Sequence, residues 1–253
     1  MARKTTNSRL FNYVKVLKLL LNVIYKICIF YNIYFFIFCL KIYYINMVLV
    51  SHKYKFIYIK NAKVAGTSVE SFFGKYCIDP QKKYNYSHIQ EQYYDEYGII
   101  GERGPNVKNK KWKNHLNAEK IKLYLGQERF NSYLKFCVIR NPYDKMVSLY
   151  FYKKSKLPFI DFVKKETCNN FNIHAIKNKS VCDYFIRFEY LEEDIKNLCN
   201  KLNINNIDLS LLPKFKSEFR KDKKHWSEYY NDITRKIVYN NHKIEFDTFG
   251  YDY

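Results

Sequence analysis

The sequence predicts an α/β fold built on a parallel sheet with crossover helices, and three observations carry that expectation. Residues 54–60, "YKFIYIK", and residues 134–140, "LKFCVIR", are short apolar runs rich in β-branched and aromatic side chains, the pattern of buried strands. Each is followed by a turn and then by apolar residues at helical spacing. Two strand–loop–helix units in succession imply strands that run parallel, with helices returning across the sheet.

The elements follow in order. Residues 16–40 are apolar but interrupted by Lys18, Asn22, Lys26 and Asn32, and the uncharged part, 27–40, is shorter than the roughly 20 residues of a spanning helix. Two readings of residues 1–46 stand. They form a signal anchor, with basic residues keeping the N-terminus cytoplasmic and a single pass through the membrane, or they are translated upstream sequence and the protein is soluble and cytoplasmic. In the second reading Met47 starts the domain, and "MVLVSHKYKFIYIK" opens its first strand. Residues 47–253 are expected to form one domain in either case. "TSVESFFGKY" then places Val69, Phe72 and Phe73 on one helical face. Residues 75–112, rich in Tyr, Lys and Gln, are expected to be an irregular cover over the site.

"HLNAEKIKLYLG" at 115–126 reads as an amphipathic helix with Leu116, Ile121 and Leu125 inward and Gly126 as its cap. Asn141-Pro142 opens the helix after the second strand, proline suiting a first helical position. A third strand is expected at 183–191, a helix over 192–202, and a last helix centred on Ile233, Ile237 and Val238. No internal repeat and no second-domain boundary is visible after residue 47.

The formal net charge is +20, and residues 1–46 carry seven Lys and Arg but no acid. The remainder is still basic, yet its lysines alternate with Asp and Glu, and neither an RNA-recognition signature nor a zinc-finger signature occurs. A solvated basic face around one anion site is therefore expected, without a nucleic-acid partner. Seven scattered cysteines give neither a disulfide framework nor a metal-ligand spacing, and Cys137 reads as a small core residue. No metal is expected.

The chemistry concentrates in "IKNAKVAGTSVESFF", residues 59–73. A Walker loop needs its lysine after the last glycine, and here Lys63 precedes Gly66, so the triphosphate pattern fails. What persists is a glycine at a strand-to-helix turn, the unpaired donors of a helix start, and the hydroxyls of Thr67 and Ser68. Lys63 is placed to put a point charge on a departing oxygen. In the second unit Arg140 ends its strand and Ser148 follows two helical turns after Asn141, a second anion site at a second strand end. Taken alone, Thr67 and Ser68 also suit a plain helix cap, Arg140 an ion pair with Asp144, and Ser148 a helix surface. Two separated anion sites suit a ligand with two phosphate groups.

"FIYIKNAKVAGTSVE", "HLNAEKI", "FCVIRNPYDKMVSLY", "FIRFEYLEEDI" and "YYNDITRKIVYNNHKIEFDTFGY" resemble, in order, the carbohydrate sulfotransferases of the heparan/chondroitin type. The resemblance spans residues 47–253. It implies a three-layer fold like that of P-loop kinases, with a central parallel sheet flanked by helices, and 3′-phosphoadenosine 5′-phosphosulfate (PAPS) as sulfuryl donor. It also implies that Lys63, Ala65, Gly66, Thr67 and Ser68 hold the 5′-phosphosulfate, and that Arg140 and Ser148 hold the 3′-phosphate. His115 would be the general base, and a carbohydrate hydroxyl the acceptor; for this chemistry the ordinary histidine pKa is suitable. The sequence departs from the family's pattern at Ala62, where proline is usual, at Lys60, where histidine is common, and at Asn117, where threonine is common. Glu189 is a further candidate for orienting the site, with an ion pair to Arg187 as its plainer role. His52, His88, His174, His225 and His242 read as surface or structural residues. A small ATP-using kinase and a non-catalytic basic glycan- or nucleotide-binding module are the rival expectations.

Overall fold

Val48–Ser51 (β1) and Phe56–Ile59 (β2) are the two strands of one antiparallel hairpin, turning at residues 52–55 with Lys55 at φ 51°. The computed structural model describes residues 48–87, 89–103, 111–112, 116–213 and 224–252, all within the compact unit Ile45–Tyr253. Residues 16–40, His88 and His115 lie outside the described residues. In chain order follow the helix Gly66–Gly74 (α1), the strands Tyr93–Tyr94 (β3) and Gly98–Ile100 (β4), and the helices Ala118–Leu125 (α2) and Gln127–Ser132 (α3). Next come Leu134–Ile139 (β5), the helices Pro142–Tyr152 (α4), Phe159–Lys165 (α5) and Phe171–His174 (α6), and the short strands Ala175–Ile176 (β6) and Lys179–Ser180 (β7). Tyr184–Arg187 (β8), Leu191–Lys201 (α7) and Asp232–Phe249 (α8) complete the fold.

The main sheet runs β3-β4-β1-β2-β5-β8. Its site-bearing half, β2-β5-β8, is parallel, and β3, β4 and β1 extend it antiparallel. All four residues of β2 are buried, as is β5 after its first residue, which is why both read as unbroken apolar runs. Side chains alternate across the sheet. Phe56, Tyr58, Phe136, Val138 and Ile186 face α1 and α7 through Val69, Phe73, Ile195 and Leu198. Ile57, Ile59, Cys137 and Ile139 face α2 through Ala118, Ile121 and Leu125. The result is the expected helix–sheet–helix layering, with α8 packed on α4 and α5.

Two expectations are corrected. Residues 75–112 are not wholly irregular: β3 and β4 lie among them and pair onto β1, placing Ile99 and Ile100 in the core. Two- and three-residue strands are too short to show a period, so composition pointed to a loop. In α8, Ile233 is 60% exposed, and the buried face instead carries Thr234, Val238, His242, Glu245 and Phe246. The helix kinks at His242, which has non-helical dihedrals, and the kink shifts the buried stripe onto polar residues. No helix among the described residues is long and apolar enough to cross a membrane.

Candidate active site

Three parallel strands end on the same edge of the sheet, and the segments that leave them build the site. Residues 60–65 leave β2, Arg140 and Asn141 leave β5, and Phe188–Tyr190 leave β8.

The loop after β2 is bent by its backbone. Lys63 and Ala65 both take positive φ, 61° and 58°, with Val64 between them outside that region. A turn of this kind aims successive N–H groups toward one point, which makes an anion-binding concavity. Ala65 is the N-cap of α1 and supplies no side-chain hydrogen bond, so the start of the helix is left without the usual Ser, Thr, Asn or Asp cap. Gly66 is needed for close approach. A Cβ there would stand 3.0 Å from Lys60 Cγ and 3.1 Å from both the Asn61 carbonyl oxygen and the Tyr58 hydroxyl. Tyr58 also donates its hydroxyl to the Gly66 carbonyl at 3.2 Å, which ties the strand to the helix start. Thr67 is half-buried and Ser68 is buried, so of the two hydroxyls Thr67 is the more open to a ligand.

The loop is clamped from behind. The Ala62 N–H donates to Asn170 Oδ1 at 3.0 Å, and Asn170 Nδ2 donates back to the Ala62 carbonyl at 2.9 Å. Asn61 donates to the Val138 carbonyl at 2.9 Å. Asn170 is held in turn, its N–H donating to Glu245 Oε1 at 2.7 Å, and Glu245 forms a buried ion pair with Lys145 of α4. Where the family's usual proline would stiffen this loop, Ala62 is fixed by a side-chain amide. A proline at this position would have no N–H to donate to Asn170. The loop that lacks this proline is therefore held by an external brace.

A buried ion cluster lies beneath. Glu70 of α1 is wholly buried and accepts from Lys60 Nζ at 2.6 Å and from Arg103 Nε at 2.9 Å. Lys60 thus stands where histidine is common and serves to neutralise Glu70.

Lys63 and Arg140 meet. Arg140 Nη1 donates to the Lys63 carbonyl at 3.1 Å, its Nε and Nη2 both reach Asp144 Oδ2 at 2.8 Å, and its guanidinium lies 3.9 Å over the Phe188 ring. The ion pair expected as the plain role of Arg140 is present, and it holds the fork at the loop. The Lys63 ammonium lies 3.7 Å over the Tyr152 ring. Asp144, Ser148 and Tyr152 recur at every fourth residue of α4, so they share one face, and half-buried Ser148 sits between the contact of Arg140 and the contact of Lys63. Lys63 and Arg140, expected at separate anion sites, thus both contact one face of α4.

Glu189 is not paired with Arg187, which instead forks onto Asp194 at 2.7 and 2.8 Å. Glu189 accepts the Asn141 N–H at 2.8 Å and the Tyr251 hydroxyl at 3.2 Å, which fixes the chain where Arg140 hands over to α4. Asn141 caps α4 through Tyr143 N at 2.9 Å. Asn117 caps α2 by accepting from Lys120 N at 3.1 Å, a task that threonine performs equally, and this accounts for its presence two residues after His115. The brace residue Asn170 was missed by sequence reasoning. An asparagine in so asparagine-rich a chain gives no signal, and its partner is a backbone group far away in sequence.

Residues 46–252 match the model of the sulfotransferase family. Over 95 residues the chain is 35% identical to an uncharacterised protein of Archaeoglobus fulgidus, covering 33% of this chain and 79% of that protein. No solved structure matches. With the match running through all three strand ends, the loop at Lys63 and the helix start at Gly66, the chain belongs to the sulfotransferase family.

Proposed function

We propose that the protein transfers a sulfuryl group from PAPS to a hydroxyl of a carbohydrate acceptor. The observation that carries this reading is the uncapped, glycine-bearing start of α1 directly after Lys63, with Arg140 bonded to the same loop. The residues fit such a donor. The helix start lacks its own cap, and a side chain at Gly66 would fill the cradle. When bound, PAPS supplies the sulfuryl group and departs as adenosine 3′,5′-bisphosphate.

The roles of the protein's own groups follow from their chemistry. The N–H groups at the start of α1, with the hydroxyls of Thr67 and Ser68, hold negative oxygens at a positive dipole end. Lys63 swings from the Tyr152 face to neutralise charge on the bridging oxygen, a point charge suiting a single atom. Arg140, oriented by Asp144, the Lys63 carbonyl and Phe188, has one further N–H on each of Nη1 and Nη2 for the 3′-phosphate beside Ser148. His115 takes the proton of the acceptor hydroxyl. Fixing the loop backbone at Ala62 through Asn170 holds the N–H groups that follow it in place before the donor arrives, so little backbone reorganisation is needed.

The test is incubation of the protein with sulfur-labelled PAPS and a panel of glycans, on chains starting at Met1 and at Met47. Label on a glycan supports the reading. Absence of label on every acceptor, together with stabilisation by ATP but not by adenosine 3′,5′-bisphosphate, would replace it with a nucleotide kinase. Stabilisation by neither, with strongly salt-dependent glycan binding, would replace it with a binding module.

A further inference from the structure

On the face of the sheet that carries α2, three soft donors converge. Cys137 projects from the middle of β5, His174 ends α6, and Cys182 lies between β7 and β8. Their donor atoms all lie within 4.8 Å of one another, although the residues are too far apart along the chain to show a ligand spacing. Cys137 and His174 are fully buried and Cys182 is half-buried.

The histidine is set for coordination. Its Nδ1 lies 3.0 Å from Ser180 Oγ, and its Nε2 is buried with no hydrogen-bond partner. An imidazole whose one nitrogen is fixed by a hydroxyl while the other is bare has the form of a metal ligand. A buried ring nitrogen without a partner, donor or acceptor, is otherwise a cost to the fold. A second orphan stands at the end of β2: the Asn61 amide donates to the Val138 carbonyl at 2.9 Å, and its Oδ1 has no hydrogen-bond partner.

The local backbone brings the donors together. His174 and Cys182 stand at the two ends of the β6–β7 hairpin, whose turn puts Lys177 and Asn178 at φ 51° and 58°. A hairpin of two two-residue strands has little stability of its own. Its base is closed by the Val181 N–H donating to the His174 carbonyl at 2.9 Å, and by the Cys182 N–H donating to Ser180 Oγ at 3.2 Å.

We propose that Cys137, His174 and Cys182 bind a zinc ion that staples this hairpin to the central strand β5. Two thiolates and one neutral imidazole are the soft donor set that zinc prefers. Both cysteine protons leave to solvent on binding, and the two negative sulfurs then cancel the dication. That neutrality matters because Ile173, Phe185 and Phe249 pack around the donors, and the buried charges nearby, Lys145 and Glu245, neutralise each other. With Zn–S bonds of about 2.3 Å the donors draw in by no more than about 1 Å, and solvent on the Cys182 side supplies the fourth donor. The proposal is independent of the sulfuryl-transfer reading.

Zinc content of the full chain, purified without chelator, tests it, with cobalt substitution as a second readout. We expect one zinc per chain and a thiolate–cobalt absorption band in the wild type. Both should be lost in Cys182→Ser and His174→Gln and kept in Cys199→Ala, whose cysteine lies in the other core. Ser180→Ala, which leaves all three donors in place, should weaken zinc binding roughly 10–100-fold. Zinc absent from the wild type, zinc undiminished in Cys182→Ser, wild-type affinity in Ser180→Ala, or a Cys137–Cys182 disulfide in the native protein would each overturn the proposal.

Discussion

The guanidinium of Arg140 donates to the backbone carbonyl of Lys63 at 3.1 Å, so the cation at the end of β5 holds the loop that carries the cation at the end of β2. Neither residue acts as a separate site. Asp144 orients Arg140, Arg140 fixes the Lys63 backbone, and the Lys63 ammonium returns to Tyr152 on the same helix as Asp144. The loop and α4 therefore form one closed circuit, within which Ser148 lies.

The amide brace gives the first prediction. Asn170→Ala removes both bonds to Ala62, leaving its buried N–H without that acceptor and its C=O with only the weak Cys168 thiol contact, which should cost about 1–3 kcal/mol of stability. Because the brace sits one residue before Lys63, affinity for adenosine 3′,5′-bisphosphate should also fall, measured by calorimetry at a temperature where the variant remains folded. Asn170→Asp should be worse, since it places a second carboxylate beside Glu245. Unchanged ligand affinity in Asn170→Ala would show that the brace does not position the loop.

Glu70 gives the second. It is the anion between buried Lys60 and buried Arg103, and Glu70→Gln would remove the carboxylate charge that both cations contact. The expected loss is about 3–5 kcal/mol, read from the urea midpoint. A change under about 1 kcal/mol would mean that water reaches the cluster.

Acid should destabilise the protein through His242. Burial, with Lys145 nearby, lowers its pKa to about 4 from the ordinary 6.5. Its Nδ1–H donates to the Val238 carbonyl at 3.0 Å and its Nε2 accepts from Cys168 N at 3.2 Å, which requires the neutral ring. Between pH 6.5 and 4 the unfolded chain binds a proton that the folded chain does not, so stability is complete above about 6.5 and is lost as pH falls toward 4. The contribution is on the order of 3 kcal/mol. His242→Gln should flatten this slope in denaturant titrations at pH 7.5 and 5, and an unchanged slope would assign the acid sensitivity to other groups.

Much of this was legible in the sequence because the informative groups lie on strong local signals. β2, β5 and β8 were visible as apolar runs, α2 by its period and its Gly126 stop, and α4 by Asn141-Pro142. Lys63 and Arg140 were visible because strand ends in a parallel sheet are where ligands sit. Other features depend on long-range contacts. β3 and β4 are strands only because β1 offers them an edge, and the true partner of Arg187 is Asp194, not Glu189. The buried stripe of α8 is polar because Glu245 neutralises Lys145 and His242 supports Cys168, so an apolar pattern was the wrong template for it.

The most direct test of the central claim is single-turnover transfer from labelled PAPS by the wild type and by Lys63→Met. Methionine keeps the length and the contact with Tyr152 while removing the charge. The account predicts native-like thermal stability with transfer slowed by roughly 10²–10³-fold. Transfer at the wild-type rate in a folded Lys63→Met protein would contradict it.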